Sequence, residues 1–358
     1  MFSRLNGQGV SLAVTLTASL VLGGDALAST INQNTSWTIN RGAASTYRVV
    51  AYGDSIFAGY NGGLFSVGKR AAPAVEGEYL AKDFGANIEV VRRTKSGAKA
   101  DDIYNNKIVS ERSYMQTTNT RVVMFEMCGN DYLQARSAFT DQTGTCSYAG
   151  LDTALANCTT YTERAMQAIN QYATSAKAKI VMNIYYPGFD ADNVQTSCTD
   201  SSTGARINKR AKFLPYLAKS NWRTCNLAEK YGFKCADAFA EYMGADYDTN
   251  GDGQIDSDAL RYVSGETEAA YVARITGALV GTLRDANTHF ANASTSFDYI
   301  QSDNTHPTFY GSTMSTGSTS SAPTFTDAQV VGGKNPEWNK SGHERAGWLM
   351  SLLDPATP

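Results

Sequence analysis

The chain has 358 residues, with 31 Lys and Arg against 34 Asp and Glu and a formal net charge of -3. A charge so nearly balanced gives no electrostatic footprint for nucleic acid or for an anionic membrane surface. The length suffices for one large core with sizeable insertions, and no stretch beyond the N-terminal region is long and apolar enough to span a bilayer.

The chain opens on a lone base, Arg4, followed by an apolar run from about Val10 to Gly24 and a small-x-small site at Ala26-Leu27-Ala28. Residues 1–28 therefore read as a secretory signal peptide, which predicts a secreted or periplasmic protein. The run is too short and too rich in Ser, Thr and Gly for a transmembrane anchor. Residues 29–46 are polar and aperiodic and read as an extended lead-in.

Five short strand-like runs follow: Tyr47–Tyr52, Asn87–Arg92, Arg121–Glu126, Lys179–Tyr185 and Phe233–Ala238. Helical stretches separate them, around Ala74–Phe84, Asp101–Val109, Leu151–Ser175 and Arg206–Tyr231. Alternation of this kind predicts the α/β class, a parallel sheet covered by helices on both faces, in a single domain over residues 47–353. After the fifth strand the pattern breaks. Residues about 240–300 hold an acidic loop and a helix near Glu266–Arg284, and residues about 309–338 are rich in Ser, Thr and Gly. Both read as insertions that could wall a cleft.

All six cysteines lie beyond the signal peptide, which favours disulfides. Cys146 and Cys158 bracket a short loop leading into a helix and are expected to pair. A second bridge is expected from Cys198 to Cys225 or Cys235, with Cys128 left aside because it adjoins a candidate active-site turn.

Chemistry enters at Gly53-Asp54-Ser55, where the first strand stops, and at Asp303-Asn304-Thr305-His306-Pro307. A serine hydroxyl is a poor nucleophile until a base takes its proton, and that base works best when a carboxylate orients it. Ser55, His306 and Asp303 are thus the expected nucleophile, base and orienting acid. Gly97 follows the second strand and Asn130 the third, so these motifs fall on the carboxyl edge of a parallel sheet, where reactive groups gather. The Ser55 N–H, the Gly97 N–H and the Asn130 amide are the expected donors to an oxyanion.

Four blocks in this order, Gly53-Asp54-Ser55, Ser96-Gly97, Gly129-Asn130-Asp131 and Asp303-x-x-His306-Pro307, resemble the SGNH (GDSL-type) hydrolase family. The resemblance implies a flavodoxin-like three-layer α/β/α sandwich and hydrolysis of carboxylic esters through an acyl-serine, with no cofactor for catalysis. The chain departs from the family pattern in two places. Arg93-Thr94-Lys95 stands where an Asn often precedes the second-block Gly, and Gly342-His343, opening a helix over Glu344–Leu353, reads as the family's ending displaced by an insertion. On that reading His306 is the base, His343 a structural residue at a helix start, and His289 a surface or packing residue.

Asp248-Thr249-Asn250-Gly251-Asp252-Gly253-Gln254-Ile255-Asp256-Ser257-Asp258 resembles an EF-hand calcium loop. Asp248, Asn250, Asp252, Gln254, Asp256 and Asp258 are the candidate ligands of a structural calcium, although Ala259 stands where the last ligand belongs. Small esters, or acyl groups on polar or carbohydrate alcohols, are the expected substrates. Abundant Tyr, Asn and Thr mildly favour a carbohydrate O-acetyl esterase, and an acyltransferase would use the same site. The alternative from another class is a calcium-dependent carbohydrate-binding or surface-interaction protein.

Overall fold

The computed structural model describes residues 30–62, 67–185, 198–243, 260–277, 299–301, 303, 305–309 and 341–358. The expected signal peptide, the acidic loop and most of the second insertion lie outside them.

Three runs rich in Val, Met and Phe form the centre of the sheet: β3 (Thr46–Gly53), β5 (Thr120–Glu126) and β7 (Ala178–Met182). Val49, Val50, Val123, Met124, Phe125 and Ile180 are wholly buried, as strands covered on both faces must be. With β4 (Asn87–Ser96) and β9 (Lys234–Ala236) they make a parallel sheet in the order β4-β3-β5-β7-β9. In chain order that is second, first, third, fourth, fifth, the flavodoxin-like arrangement.

The sheet is wider than five strands. Residues 29–46 are more than a lead-in, because β1 (Ile31–Asn32) and β2 (Thr35–Ile39) pair antiparallel with β4. In β2 the alternation ends on buried Ile39, and the strand covers an edge of β4 that would otherwise be open. A two-stranded ribbon, β6 (Gly144–Thr145) with β8 (Cys198–Thr199), stands apart from the main sheet.

After β3 comes the single turn α1 (Ser55–Ala58), and then α2 (Ala72–Phe84) starts on Pro73 and stops at Gly85 in the left-handed region. Between β4 and β5, α3 (Ala100–Ile103) runs into a π-helical turn over Tyr104–Val109. The helix α4 (Gly129–Thr140) follows β5, and the long α5 (Ala149–Tyr172) packs beside α6 (Lys209–Tyr231). The short α7 (Ala238–Met243) follows β9, and α8 (Glu268–Thr276) packs on α6. The last helix, α9 (Gly342–Ser351), packs on α2 so closely that a Cβ at Gly347 would lie 2.4 Å from Val75. Buried ion pairs fasten this end of the chain, from Arg70 to Glu78 and Glu344 and from Arg345 to Glu241.

The disulfides differ from the expected pairs. Cys146 is bonded to Cys198, with Cα atoms 5.2 Å apart, and Cys225 to Cys235. The expected Cys146–Cys158 pair, and the pairing of Cys198 with either Cys225 or Cys235, are therefore corrected. Pairing of β6 with β8 sets Cys146 beside Cys198, whereas Cys158 is carried on the buried face of α5. There it remains a free thiol, as does Cys128.

Candidate active site

Ser55 opens α1 at the point where β3 ends. Gly53 is needed there, since a Cβ on it would lie 2.3 Å from the Glu126 carboxyl. Asp54 caps the helix, its Oδ1 accepting the Ile56 N–H at 2.9 Å. The Ser55 N–H belongs to the first turn and has no carbonyl one turn earlier to receive it. Gly97 leaves β4 at φ 75°, a conformation that a side chain would strain. Asn130 lies in the first turn of α4, directly after the β5 connection.

His306 arrives from the far end of the chain on a tight, well-braced turn. Ile300 bridges to Pro307, the Gln301 N–H donates to the His306 carbonyl at 2.7 Å, and the Thr308 N–H donates to the Tyr299 carbonyl at 2.9 Å. The Tyr185 hydroxyl donates to the Thr305 carbonyl from the end of β7. So held, His306 Nε2 lies 2.8 Å from Ser55 Oγ, and its Nδ1 lies 2.6 Å from Asp303 Oδ2. The other Asp303 oxygen accepts the Thr305 and His306 N–H groups, each at 3.0 Å.

Burial raises the Asp303 carboxyl, but the hydrogen bond and charge of His306, with the two N–H donors, outweigh it and hold the group below its ordinary range. An ionised Asp303 accepts the Nδ1 proton. That tautomer leaves the Nε2 lone pair facing the serine hydroxyl.

Asn130 reaches the same place by a different set of bonds. Its Nδ2 donates to Asp54 Oδ2 at 2.9 Å and to the Ala98 carbonyl at 3.1 Å. Both partners are acceptors, which settles the orientation of the amide. Both amide hydrogens are therefore engaged, and donation to an oxyanion requires one of them to be shared or released. Sequence reasoning did not foresee that competition.

Ser55, Gly97, Asn130 and His306 line a cavity of about 130 Å³ together with Ile31, Tyr60 and Leu133. A second, more open groove of about 410 Å³ begins at Lys99 and Asp131, close neighbours of Gly97 and Asn130, and continues along Gln134, Thr153 and Asn157. Burial pushes the Asp131 carboxyl up to about 6.

The other sequence candidates lie elsewhere. His343 is wholly buried at the start of α9, where its Nδ1 accepts the Ala72 N–H at 3.3 Å and its ring stacks on Phe309. His289 and the calcium-like loop from Asp248 to Asp258 fall outside the described residues. Among the described residues no group of three or more His, Cys, Asp or Glu side chains is placed to hold a metal ion, and no helix is long and apolar enough to cross a membrane.

Sequence reasoning missed Tyr60, whose ring lies 4.2 Å from that of His306, and Gln301, whose amide donates to the Tyr60 and Pro307 carbonyls. It also missed Glu126, a carboxyl buried beneath the serine turn. The one available signal for it was an acidic residue closing an otherwise apolar strand.

A family model described as GDSL-like Lipase/Acylhydrolase matches residues 49–314. The chain is similar to the solved structure of the lipase Lip_vut3 from a goat rumen metagenome, with 17% identity over 66% of this chain and 99% of that one, TM-score 0.41. It is similar to an extracellular lipase from Streptomyces rimosus, with 17% identity over 66% of this chain and 97% of that one, TM-score 0.41. A third similar structure is phospholipase A1 from Streptomyces albidoflavus NA297, with 18% identity over 66% and 98%, TM-score 0.39. No curated protein sequence matches the chain.

Proposed function

The chain belongs to the GDSL-like lipase/acylhydrolase family, and from that premise we propose that it is a secreted serine esterase working through an acyl-Ser55 intermediate. The observation that carries this reading is the unbroken relay from Asp303 through His306 to Ser55 Oγ, with contacts of 2.6 and 2.8 Å.

In the proposed reaction Ser55 Oγ attacks the ester carbonyl while His306 Nε2 takes the hydroxyl proton. Charge develops on the carbonyl oxygen, facing the Ser55 and Gly97 N–H groups and the Asn130 amide. Each such donor contributes about 3–4 kcal/mol in comparable sites. His306 then returns the proton to the leaving alkoxide, and water, activated by the same imidazole, releases the acid.

The cavity beside Ser55 argues for a short acyl group. Its volume of about 130 Å³ is close to that of an apolar cavity of about 150 Å³ that takes one benzene, so it suits a small acyl group and not a long chain. The groove beyond Lys99 and Asp131, with its amides and hydroxyl, suits a polar alcohol, which supports a carbohydrate O-acyl ester as the second reading. A panel of esters, from acetyl to long-chain and on both simple alcohols and sugars, tests both readings with Ser55→Ala as control. Short acyl esters should turn over fastest. Preference for long chains would refute the acyl assignment, and activity retained in the control would refute the nucleophile.

A further inference from the structure

Glu126 ends β5 with its carboxyl beneath the serine turn, and it is only 4% exposed. Its Oε1 accepts the Asp54 N–H at 2.6 Å and occupies the space that any side chain at residue 53 would need. Asp54 in turn accepts from the Ile56 N–H and from Asn130 Nδ2. Three backbone or side-chain links thus run from Glu126 through Asp54 to the two turns that carry Ser55 and Asn130. A side-chain hydrogen bond joins the Glu126 and Asp54 carboxyls, both buried, and such a pair cannot ionise twice without severe repulsion. Each carboxyl accepts two donors, Asp54 from Ile56 and Asn130 and Glu126 from the Asp54 and Phe57 N–H groups. Burial raises both, but Asp54 caps α1 and is the one that His306 faces, so the negative charge belongs there and the proton on Glu126.

We propose that Glu126 is a positioning residue for the nucleophile: a neutral carboxylic acid that accepts the Asp54 N–H, donates its own proton to the Asp54 carboxylate, and so fixes Ser55 against Asn130. The proposal rests on the reading of Ser55 as nucleophile. Burial first, then the Asp54 charge, push the Glu126 carboxyl well above its ordinary range, in keeping with that assignment. The other titratable groups that face the pair are Tyr185 and Cys128, both buried and neutral, and His306, whose positive charge when protonated favours the Asp54 carboxylate. A second negative charge at Glu126 would also oppose the oxyanion that forms a few residues away.

The test compares wild type, Glu126→Gln and Glu126→Ala on a short p-nitrophenyl ester at neutral pH. Gln preserves both bonds, since its carbonyl accepts and its amide donates, and it should retain kcat within about threefold, less than the worth of one hydrogen bond. Ala releases the turn and should lower kcat on the order of a hundredfold, as small misplacements of a nucleophile do, with little change in KM. A wild-type-minus-Gln infrared difference spectrum should show the carbonyl stretch of a protonated carboxylic acid. Loss of a carboxylate band instead would overturn the proposal, as would full activity in the Ala variant or a folded Gln variant as weak as Ala. If Ala fails to fold, the Gln kinetics and the spectrum still decide. The spectrum needs no turnover, so it judges Glu126 even if Ser55→Ala proves that the esterase reading is wrong.

Discussion

Tyr60 lies against His306, with ring centroids 4.2 Å apart and planes inclined at 34°. The same residue is pinned at both ends, its N–H donating to the Ser55 carbonyl at 3.0 Å and its carbonyl accepting from Gln301 at 2.9 Å. It therefore links the Ser55 turn to the His306 turn. Replacing the ring by Tyr60→Ala should free the imidazole and lower kcat on the order of tenfold, whereas Tyr60→Phe should stay close to wild type because the stacking face is kept. Equal losses in the two variants would shift the role to the hydroxyl.

The proposed mechanism gives Asn130 two duties, which a pair of substitutions separates. If the amide serves the proposed oxyanion site, Asn130→Ala should lower kcat on the order of 10²–10³, as at comparable sites. It also removes the link to Asp54 and the Ala98 carbonyl, so the melting temperature should fall as well. Asp54→Asn keeps a side-chain acceptor while weakening the link, and should lower stability with a smaller effect on rate. A rate unchanged in Asn130→Ala would take the amide out of the oxyanion site.

How much of this was legible beforehand depends on where the controlling contacts lie. The central strands read easily, because Val49–Ala51 and Val122–Phe125 must be apolar on both faces and the sequence displays that directly. The Ser55, Asn130 and Asp303-x-x-His306 motifs read easily too, since each follows a strand or a tight turn. Strand β2 did not, because Thr35, Ser36 and Thr38 hide one apolar row and its pairing partner is about fifty residues away. Helix α4 was obscured by the turn that starts it, where Cys128 is, among the described residues, the one non-glycine residue with positive φ, at 82°. The disulfides were misread because proximity along the chain was used in place of the pairing of β6 with β8. Glu126 looks like a surface residue until the Asp54 turn closes over it.

The two bridges should contribute unequally. Cys146–Cys198 closes a separation of 52 residues and Cys225–Cys235 one of 10. On the chain-entropy view the first is worth roughly 4 kcal/mol and the second roughly 3 kcal/mol. Denaturant unfolding of Cys146→Ser/Cys198→Ser should therefore show the larger loss. Thiol titration of the unfolded, unreduced protein should find Cys128 and Cys158 reactive. Labelling of Cys225 or Cys235 in place of Cys158 would restore the discarded Cys146–Cys158 pairing.

Calcium remains a sequence-based expectation for Asp248, Asn250, Asp252, Gln254, Asp256 and Asp258. If those oxygens share a cation, a chelator should lower the melting temperature and added calcium should restore it, since a ligand bound to the folded state stabilises by mass action. Asp252→Asn should blunt both shifts. An identical melting curve with and without chelator would mark the run as a plain acidic loop.

A buried carboxyl pair far from the serine sets the expected response of stability to pH. Glu76 on α2 is fully buried, and its carboxyl is pushed up from 4.5 to about 8 by that burial. Asp354, beyond the end of α9, is raised by its own burial and then by the charge of Glu76, with Asp83 and Lys234 also facing it. Between the unfolded value near 4.5 and the folded value near 8 the unfolded chain has released the Glu76 proton while the folded protein keeps it. The unfolded state then binds fewer protons, so stability falls as pH rises through this window and levels off above it. Melting curves from about pH 5 to about pH 8 should shift downward by several degrees. Glu76→Gln cannot ionise, so it should flatten that slope and melt higher than wild type at the alkaline end. A variant whose slope matches wild type would leave the pH response to other groups.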